Sequence, residues 1–318
     1  MPIAGPSSFL PTLDEFLPHW SRADAALGAA GPIALAGGLN LAGLGSLRAI
    51  LVERRADMDS IRNEMERTRS EINRGKAALL LRLNQFNGKL RSLAPGSRWE
   101  GMLPKAFSIS EGFNRVIPPL DGIQDLWTRY DVEESTITLM GGYPLTDFTT
   151  DLGALKAAYA RHASAENALG LARKLRNETQ KKIYEVLKQY RLRIRSEFPE
   201  GSSMLITLPR LTPQPGPAPG TVKLSGNFNP VTGKAELAWT PSTDPAVSSL
   251  QLRACVGASY QAEDETILTT YPASGPHGWT GTFGLGSPGS ATAFKIFSIT
   301  SDGSEKGSNA VRISRPEA

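Results

Sequence analysis

The side chains able to do chemistry are few and scattered. Three histidines, His19, His162 and His277, fall one to a region of the 318-residue sequence, and none belongs to a run of ligand-type residues at the spacing of a metal site. His162 instead sits on a helix seam, where a polar residue sets register between paired helices. The single cysteine, Cys255, cannot form an intramolecular disulfide; it alternates with Arg253 and Gln251 as on a strand, and no nearby histidine could activate it as a nucleophile. The glycine pairs Gly37-Gly38 and Gly141-Gly142 precede helices and could offer backbone amides to a phosphate. No Lys-Ser/Thr pair follows them, so each reads as a turn used twice. With no convergent acid, base and nucleophile, the expectation is a protein that is not an enzyme and that uses no cofactor and no metal.

The sharpest electrostatic feature lies between Ala172 and Arg195. Nine basic residues (Arg173, Lys174, Arg176, Lys181, Lys182, Lys188, Arg191, Arg193 and Arg195) face only Glu178 and Glu185. Such a run can contact an acidic partner or grip phosphates. The cations spread around the helix with few aromatics between them, which favours a solvated face paired with Glu64, Glu66 and Glu71 of another helix, or with a neighbouring subunit, over nucleic acid. The whole-chain charge of +4 and the pI near 9.2 fall short of a dedicated nucleic-acid binder.

These residues must be positioned by long helices. From Leu51 an apolar residue returns every seventh position, at Met58, Met65, Ile72, Leu79, Phe86 and Leu93, within otherwise charged sequence. So narrow a stripe is a coiled-coil seam that needs a partner helix. The helix is expected from near Leu44 to the break at Ala94-Pro95-Gly96, roughly fifty residues and about 75 Å long. Leu13, Phe16, Leu17 and Trp20 predict a short amphipathic helix before it, ending near Gly28; Leu120, Ile123, Leu126 and Trp127 predict another after it.

The partner is a second copy. Ile137 to Gly142 repeats Ile33 to Gly38 at an offset of 104, and the register continues with Leu51 against Leu155, Asn73 against Asn177, Leu79 against Ile183, Leu83 against Leu187, Phe86 against Tyr190 and Pro95 against Pro199. Met102 to Lys105 then matches Thr207 to Arg210 after a one-residue slip. One register through helix, stop and exit marks an internal duplication. The seam of the second copy is expected at Leu155, Leu169, Ile183, Leu187 and Tyr190, and the two helices are expected to pack antiparallel and to assemble further.

The uncharged stretch from Ala25 to Leu47 is about long enough to cross a bilayer, but its many glycines, and Asp147 and Asp151 in the second copy, argue against a span. The first residues lack the basic and apolar regions of a signal peptide, from which a cytoplasmic location is expected, with leaderless export left open.

Residues 211–220 are proline-rich and read as a linker. Beyond them, short alternating runs at Val222–Leu224, Ala235–Trp239, Leu250–Ala254, Thr266–Thr270, Thr280–Phe283, Ala293–Ile299 and Ala310–Ile313 predict a small antiparallel sandwich. Glu236 to Pro241 resembles the second strand of a fibronectin type III domain with its core tryptophan. Leu285 to Ile296 is similar to the turn into that family's sixth strand, with Thr292 where the family usually has tyrosine, and Asp302-Gly303 and Ser308-Asn309 to the entry of its last strand. The resemblance covers roughly 221–318 and implies a binding or spacing module outside catalysis; no Arg-Gly-Asp triplet is present.

The fold class expected is therefore multidomain, mainly α plus all-β. A duplicated, elongated helical coiled-coil or bundle domain fills 1–210, with repeat units at about 10–105 and 114–210, and a fibronectin type III-like sandwich fills 221–318. The function expected is structural: self-assembly or scaffolding as a homo-oligomer through the long helices, with the sandwich displayed for decoration or partner binding. The alternatives are a monomeric or dimeric adaptor that binds a protein or glycan through the sandwich and, more weakly, a nucleic-acid-associated protein using residues 172–195.

Overall fold

The computed structural model describes residues 2–28, 31–213 and 218–316. Six helices come first: α1 (Phe9–Leu27), α2 (Leu41–Leu93), α3 (Arg98–Gly101), α4 (Phe113–Glu133), α5 (Leu145–Glu197) and α6 (Ser203–Ile206). Eight strands follow, β1 (Leu224–Asn229), β2 (Lys234–Trp239), β3 (Val247–Val256), β4 (Thr266–Pro272), β5 (Gly278–Gly281), β6 (Ala291–Thr300), β7 (Glu305–Gly307) and β8 (Val311–Ser314). The chain is thus a long-helix region followed by an antiparallel β-sandwich. No helix among the described residues is long and apolar enough to cross a membrane.

The duplication is visible element by element. Helices α2 and α5 are each 53 residues long and start 104 residues apart. The turns before them use Gly37 and Gly38 (φ 77° and 74°) and Gly141 and Gly142 (φ 85° and 75°), a conformation that costs glycine nothing. Each turn closes alike: Leu35 donates to the Leu39 carbonyl at 2.7 Å, and Leu139 to the Tyr143 carbonyl at 2.8 Å. Both long helices end before a proline, and α3 and α6 follow at an offset of 105, the one-residue slip expected.

By contacts the chain forms two compact units, Glu64–Ala168 and a second made of Met1–Asn63 with Leu169–Ala318. In the first, Phe86 of α2 stacks on Trp127 of α4 with centroids 5.1 Å apart, and Asp131 Oδ1 accepts from the Ile137 amide at 2.7 Å. In the second, Tyr190 of α5 stacks on Trp20 of α1 at 4.3 Å, and Asp24 Oδ1 accepts from the Ile33 amide at 2.8 Å. Within each unit, then, the short helix of one copy packs on the long helix of the other.

The long helices run antiparallel within each unit. Thr68, Glu71 and Gly75 meet His162, Arg161 and Leu155 in descending order. In the other unit, Leu44, Leu47 and Leu51 share a core with Ile183, Leu187, Tyr190 and Ile194.

The seam of α2 departs from a strict heptad. Leu51, Met58, Ile72, Leu79 and Phe86 are buried, but Met65 is only half-buried and Leu93 is 51% exposed, while Leu90 is fully buried in its place. The helix has 3.6 residues per turn, so a seven-residue series drifts about 20° per repeat and has left the interface after six. The buried series recurs instead at eleven: Thr68, Leu79 and Leu90; Ile72 and Leu83; Lys76 and Asn87. On α5, Leu155, Leu169, Ile183, Leu187 and Tyr190 are all buried.

The sandwich has a three-stranded sheet ordered β1-β2-β5 and a five-stranded sheet ordered β4-β3-β6-β7, in which β8 also pairs with β6. Trp239, Leu252, Phe294 and Ile296 lie in the core between them. At position 292, Thr292 Oγ1 donates to the Phe283 carbonyl at 3.1 Å, tying the sixth strand to the turn before it without a tyrosine. The structure differs from the sequence expectation at three strands. Ladder pairing starts at Leu224 rather than Val222, because the Lys223 amide bonds to the Thr240 hydroxyl. The fifth strand lies at Gly278–Gly281, and β7 is a three-residue strand too short to show alternation. In the expected linker, Leu211 is buried and its carbonyl accepts from Ile3 at 3.0 Å. The Gly220 amide bonds to Asp244 at 2.8 Å, and Gln214 to Pro217 lie outside the described residues.

Candidate functional site

A dense polar cluster is built where the sandwich meets the helices of its own unit. The 3-10 turn Ala262–Asp264, just before β4, presents Asp264, which is 6% exposed. Three guanidinium groups surround its carboxylate. Arg173 Nε donates at 3.1 Å, Arg62 Nη2 lies at 3.0 Å and Arg176 Nη1 at 3.5 Å. Arg62 also donates to Asp59 at 2.8 Å, and Arg176 to the Glu263 carbonyl. The antiparallel packing creates this set, since it lays the 173–176 turn of α5 beside the 55–62 stretch of α2.

A second carboxylate extends the cluster. Glu265 accepts from Arg253 Nη1 at 2.8 Å, from the Ser7 hydroxyl and from the Tyr260 hydroxyl. Arg253, 1% exposed, also bonds to Gln251 at 2.7 Å and Glu305 at 3.1 Å and lies over the Phe297 ring at 4.0 Å. The N-terminal segment joins through the Pro6 carbonyl, which accepts from Arg55 at 2.6 Å and Gln180 at 2.9 Å. Three stretches far apart in sequence are thereby pinned together.

Burial pushes the Asp264 carboxyl up, but the Arg173 hydrogen bond and the charges of Arg62, Arg173 and Arg176 outweigh it and hold the group below the ordinary carboxylate range. Asp59 goes the other way, raised by burial that Arg62 only partly offsets. Burial lowers Arg176 and Arg55. The space left among these residues is about 10 Å³, about one water, so a substrate has no room. Cys255 lies nearby with its thiol directed at the Gln261 carbonyl at 3.0 Å, and burial pushes its pKa up to about 11, which suppresses the thiolate. The arrangement can orient a domain; its ionised groups are engaged with one another.

Of the basic residues singled out in sequence, Arg173 and Arg176 enter this cluster. Arg191 donates to the Pro209 carbonyl and Arg193 pairs with Glu197, while Lys174, Lys181, Lys182, Lys188 and Arg195 face solvent. The expected pairing with Glu64 and Glu71 is not made: Glu64 pairs with Arg67 and Glu71 with Arg161. Antiparallel packing sets residues near 57, not near 68, opposite the basic turn. Arg62, Arg253, Asp264 and Glu265 were not singled out in sequence; the acidic triplet Glu263-Asp264-Glu265 just before a strand is a signal that could have found the two carboxylates.

The histidines are dispersed. His19 is buried, accepting from the Tyr190 hydroxyl through Nδ1 (2.6 Å) and donating to the Met204 carbonyl through Nε2 (2.9 Å), a pattern that suits the neutral ring; burial lowers its pKa. His162 Nδ1 bonds to Thr68 at 3.0 Å across the seam and its Nε2 lies 3.6 Å from Glu166. His277 lends its backbone carbonyl to the Trp239 amide. Among the described residues no group of three or more His, Cys, Asp or Glu side chains could hold a metal ion.

Fold and cluster together define a class: a duplicated antiparallel long-helix protein joined by buried ion pairs to an antiparallel β-sandwich. No family model matches the sequence, and no curated relative matches it. Among solved structures, the chain is similar to a Fn3-like protein from Clostridium thermocellum, with 19% identity, 32% of this chain against 98% of that one, and a TM-score of 0.24. It is also similar to pectate lyase PelI from Erwinia chrysanthemi in complex with tetragalacturonic acid, with 12% identity over 29% of this chain and a TM-score of 0.24. Pectate lyase Pel3 from Pectobacterium carotovorum matches at 13% identity over 28% of this chain and 26% of its own, with a TM-score of 0.23. The chain spans only 28% of the PelI length.

Proposed function

We propose that the protein is a non-enzymatic structural protein that assembles, or scaffolds a larger assembly, through its long helices while holding a fibronectin type III-like module in one fixed orientation for decoration or partner binding. The observation that supports this reading is the engagement of Asp264 by Arg62, Arg173 and Arg176. Buried ions are costly unless geometry and hydrogen bonding repay their desolvation, so such a cluster tolerates few alternative poses. A module needed only as a tethered binder requires no such clasp; one displayed at fixed geometry from each subunit does.

Light scattering over a hundredfold concentration range, with electron microscopy of the same samples, tests the reading. The expected result is growth into particles of regular spacing. A monomer at every concentration would sink the assembly function.

A further inference from the structure

The duplication gives the docking surface for the sandwich a second copy. At the 104 offset, Arg55, Met58, Asp59 and Arg62 on α2 correspond to Tyr159, His162, Ala163 and Glu166 on α5. Phe9 corresponds to Phe113, and Arg173 and Arg176 correspond to Arg69 and Ile72. In the unit containing the sandwich, the first set is covered by Glu263, Asp264 and Glu265 with about 10 Å³ left over. In unit Glu64–Ala168 the second set, Tyr159, His162, Ala163 and Glu166, lines an open groove of about 450 Å³ together with Phe113, Lys156 and Ala160. Phe113 is 45% exposed there and stands edge-on to Tyr159 at 5.2 Å. The Tyr159 hydroxyl is buried without a partner among the described residues.

The chemistry of this second surface has changed. Arg55, Arg62 and Arg176 are replaced by Tyr159, Glu166 and Ile72, so an acidic turn like that of Asp264 would keep only Arg69, in the place of Arg173, and would meet Glu166, which is 59% exposed; the groove's own cation, Lys156, is held by Asp121 at 2.7 Å. The groove suits an apolar tip accompanied by a cation. The described residues of the sandwich offer one: Val231, 93% exposed, is the large hydrophobic side chain left uncovered there, and Lys234 is exposed three residues on. The tip is already ordered, because Asn229 Oδ1 accepts from the Val231 amide at 2.9 Å and the Thr232 amide at 3.2 Å, and Gly233 takes a φ of 67°. An ordered tip loses little entropy on docking.

We infer that the groove of Phe113, Tyr159, Ala163 and Glu166 is a docking site for the β1–β2 turn of a second copy of this chain, with Val231 in the groove and Lys234 facing Glu166. This rests on the assembly reading and names its contact. Groove and tip are different surfaces, so the contact is heterologous and can propagate from subunit to subunit.

Sedimentation velocity of the full chain and two surface variants tests it. Ala163→Arg fills the groove and repels Lys234; Val231→Asn removes the apolar anchor and keeps the turn. Circular dichroism melts confirm that both variants fold. The parent is expected to associate with rising concentration, and each variant alone to associate at least tenfold more weakly. An equimolar mixture is expected to stop at a dimer, since one intact groove meets one intact tip. If both variants associate as the parent does, this contact is wrong and the assembly reading stands. If only one loses association, or the mixture forms no dimer, the groove-to-tip pairing is overturned. A parent that stays monomeric overturns both.

Discussion

The indole of Trp20 lies stacked on the ring of Tyr190, centroids 4.3 Å apart and planes 18° apart, although the two belong to different copies of the repeat. The other unit reproduces the relationship with Trp127 on Phe86, at 5.1 Å and 29°. Each short helix is therefore the cover of the opposite copy's long helix, and neither copy completes its core alone.

Truncating either aromatic anchor should open a large cavity. Trp20→Ala and Trp127→Ala are each expected to cost about 3–5 kcal/mol, measured by urea unfolding. Trp20 and Trp127 belong to separate hydrophobic clusters, so the double variant should lose nearly the sum. Strong coupling between the two losses would show that the clusters are not independent.

The drift of the seam gives a sharp contrast three residues apart. Leu90→Asp buries an unpaired carboxylate in a fully enclosed site and should cost several kcal/mol. Leu93→Asp, at a position half exposed, should stay within about 0.5 kcal/mol. Thermal melts of the two variants decide it; equal losses would restore the strict heptad.

Replacing Asp264 by asparagine leaves Arg176, whose side chain is 4% exposed, without its carboxylate partner, and leaves Arg62, 8% exposed, with Asp59 alone. Loss of one partner from a buried ion cluster costs about 3–5 kcal/mol, and the lower end is expected because Arg173 at 39% can turn to solvent. Limited proteolysis should then sever the sandwich from the helices faster than in the parent. Unchanged cleavage rates would mean that the clasp does not hold the module.

The same carboxylate sets a pH dependence. Its pKa is lower folded than unfolded, so its contribution is fully present above the ordinary aspartate value of about 3.9 and disappears as pH falls through the depressed folded value. Asp59, with a raised pKa, takes up its proton first on acidification, and that protonation relieves burial cost. The melting-temperature difference between parent and Asp264→Asn should therefore stay flat from pH 7 to 5 and close at still lower pH. A difference that closes between pH 7 and 5 would assign the effect to another group.

The sequence alone determined the duplication, because a repeat leaves its trace in residue identities: the glycine turns, the proline stops and the 104 offset each return as equal elements with positive φ where glycine stands. It also pointed to the sandwich, since apolar and polar residues alternate along most of its strands, even where, as in β3 and β6, both faces turn out to be covered. It did not determine which face of α2 is buried over its full length. A 3.5-residue count and a 3.6-residue helix agree locally and diverge only as the turns accumulate, so Leu93 looks like seam until Leu90 is seen in its place. Nor could it pair the arginines. Arg62, Arg173 and Asp264 meet only because antiparallel packing and the return of the sandwich bring them together, and Coulomb attraction acts over a few ångströms of space, whatever the distance along the chain.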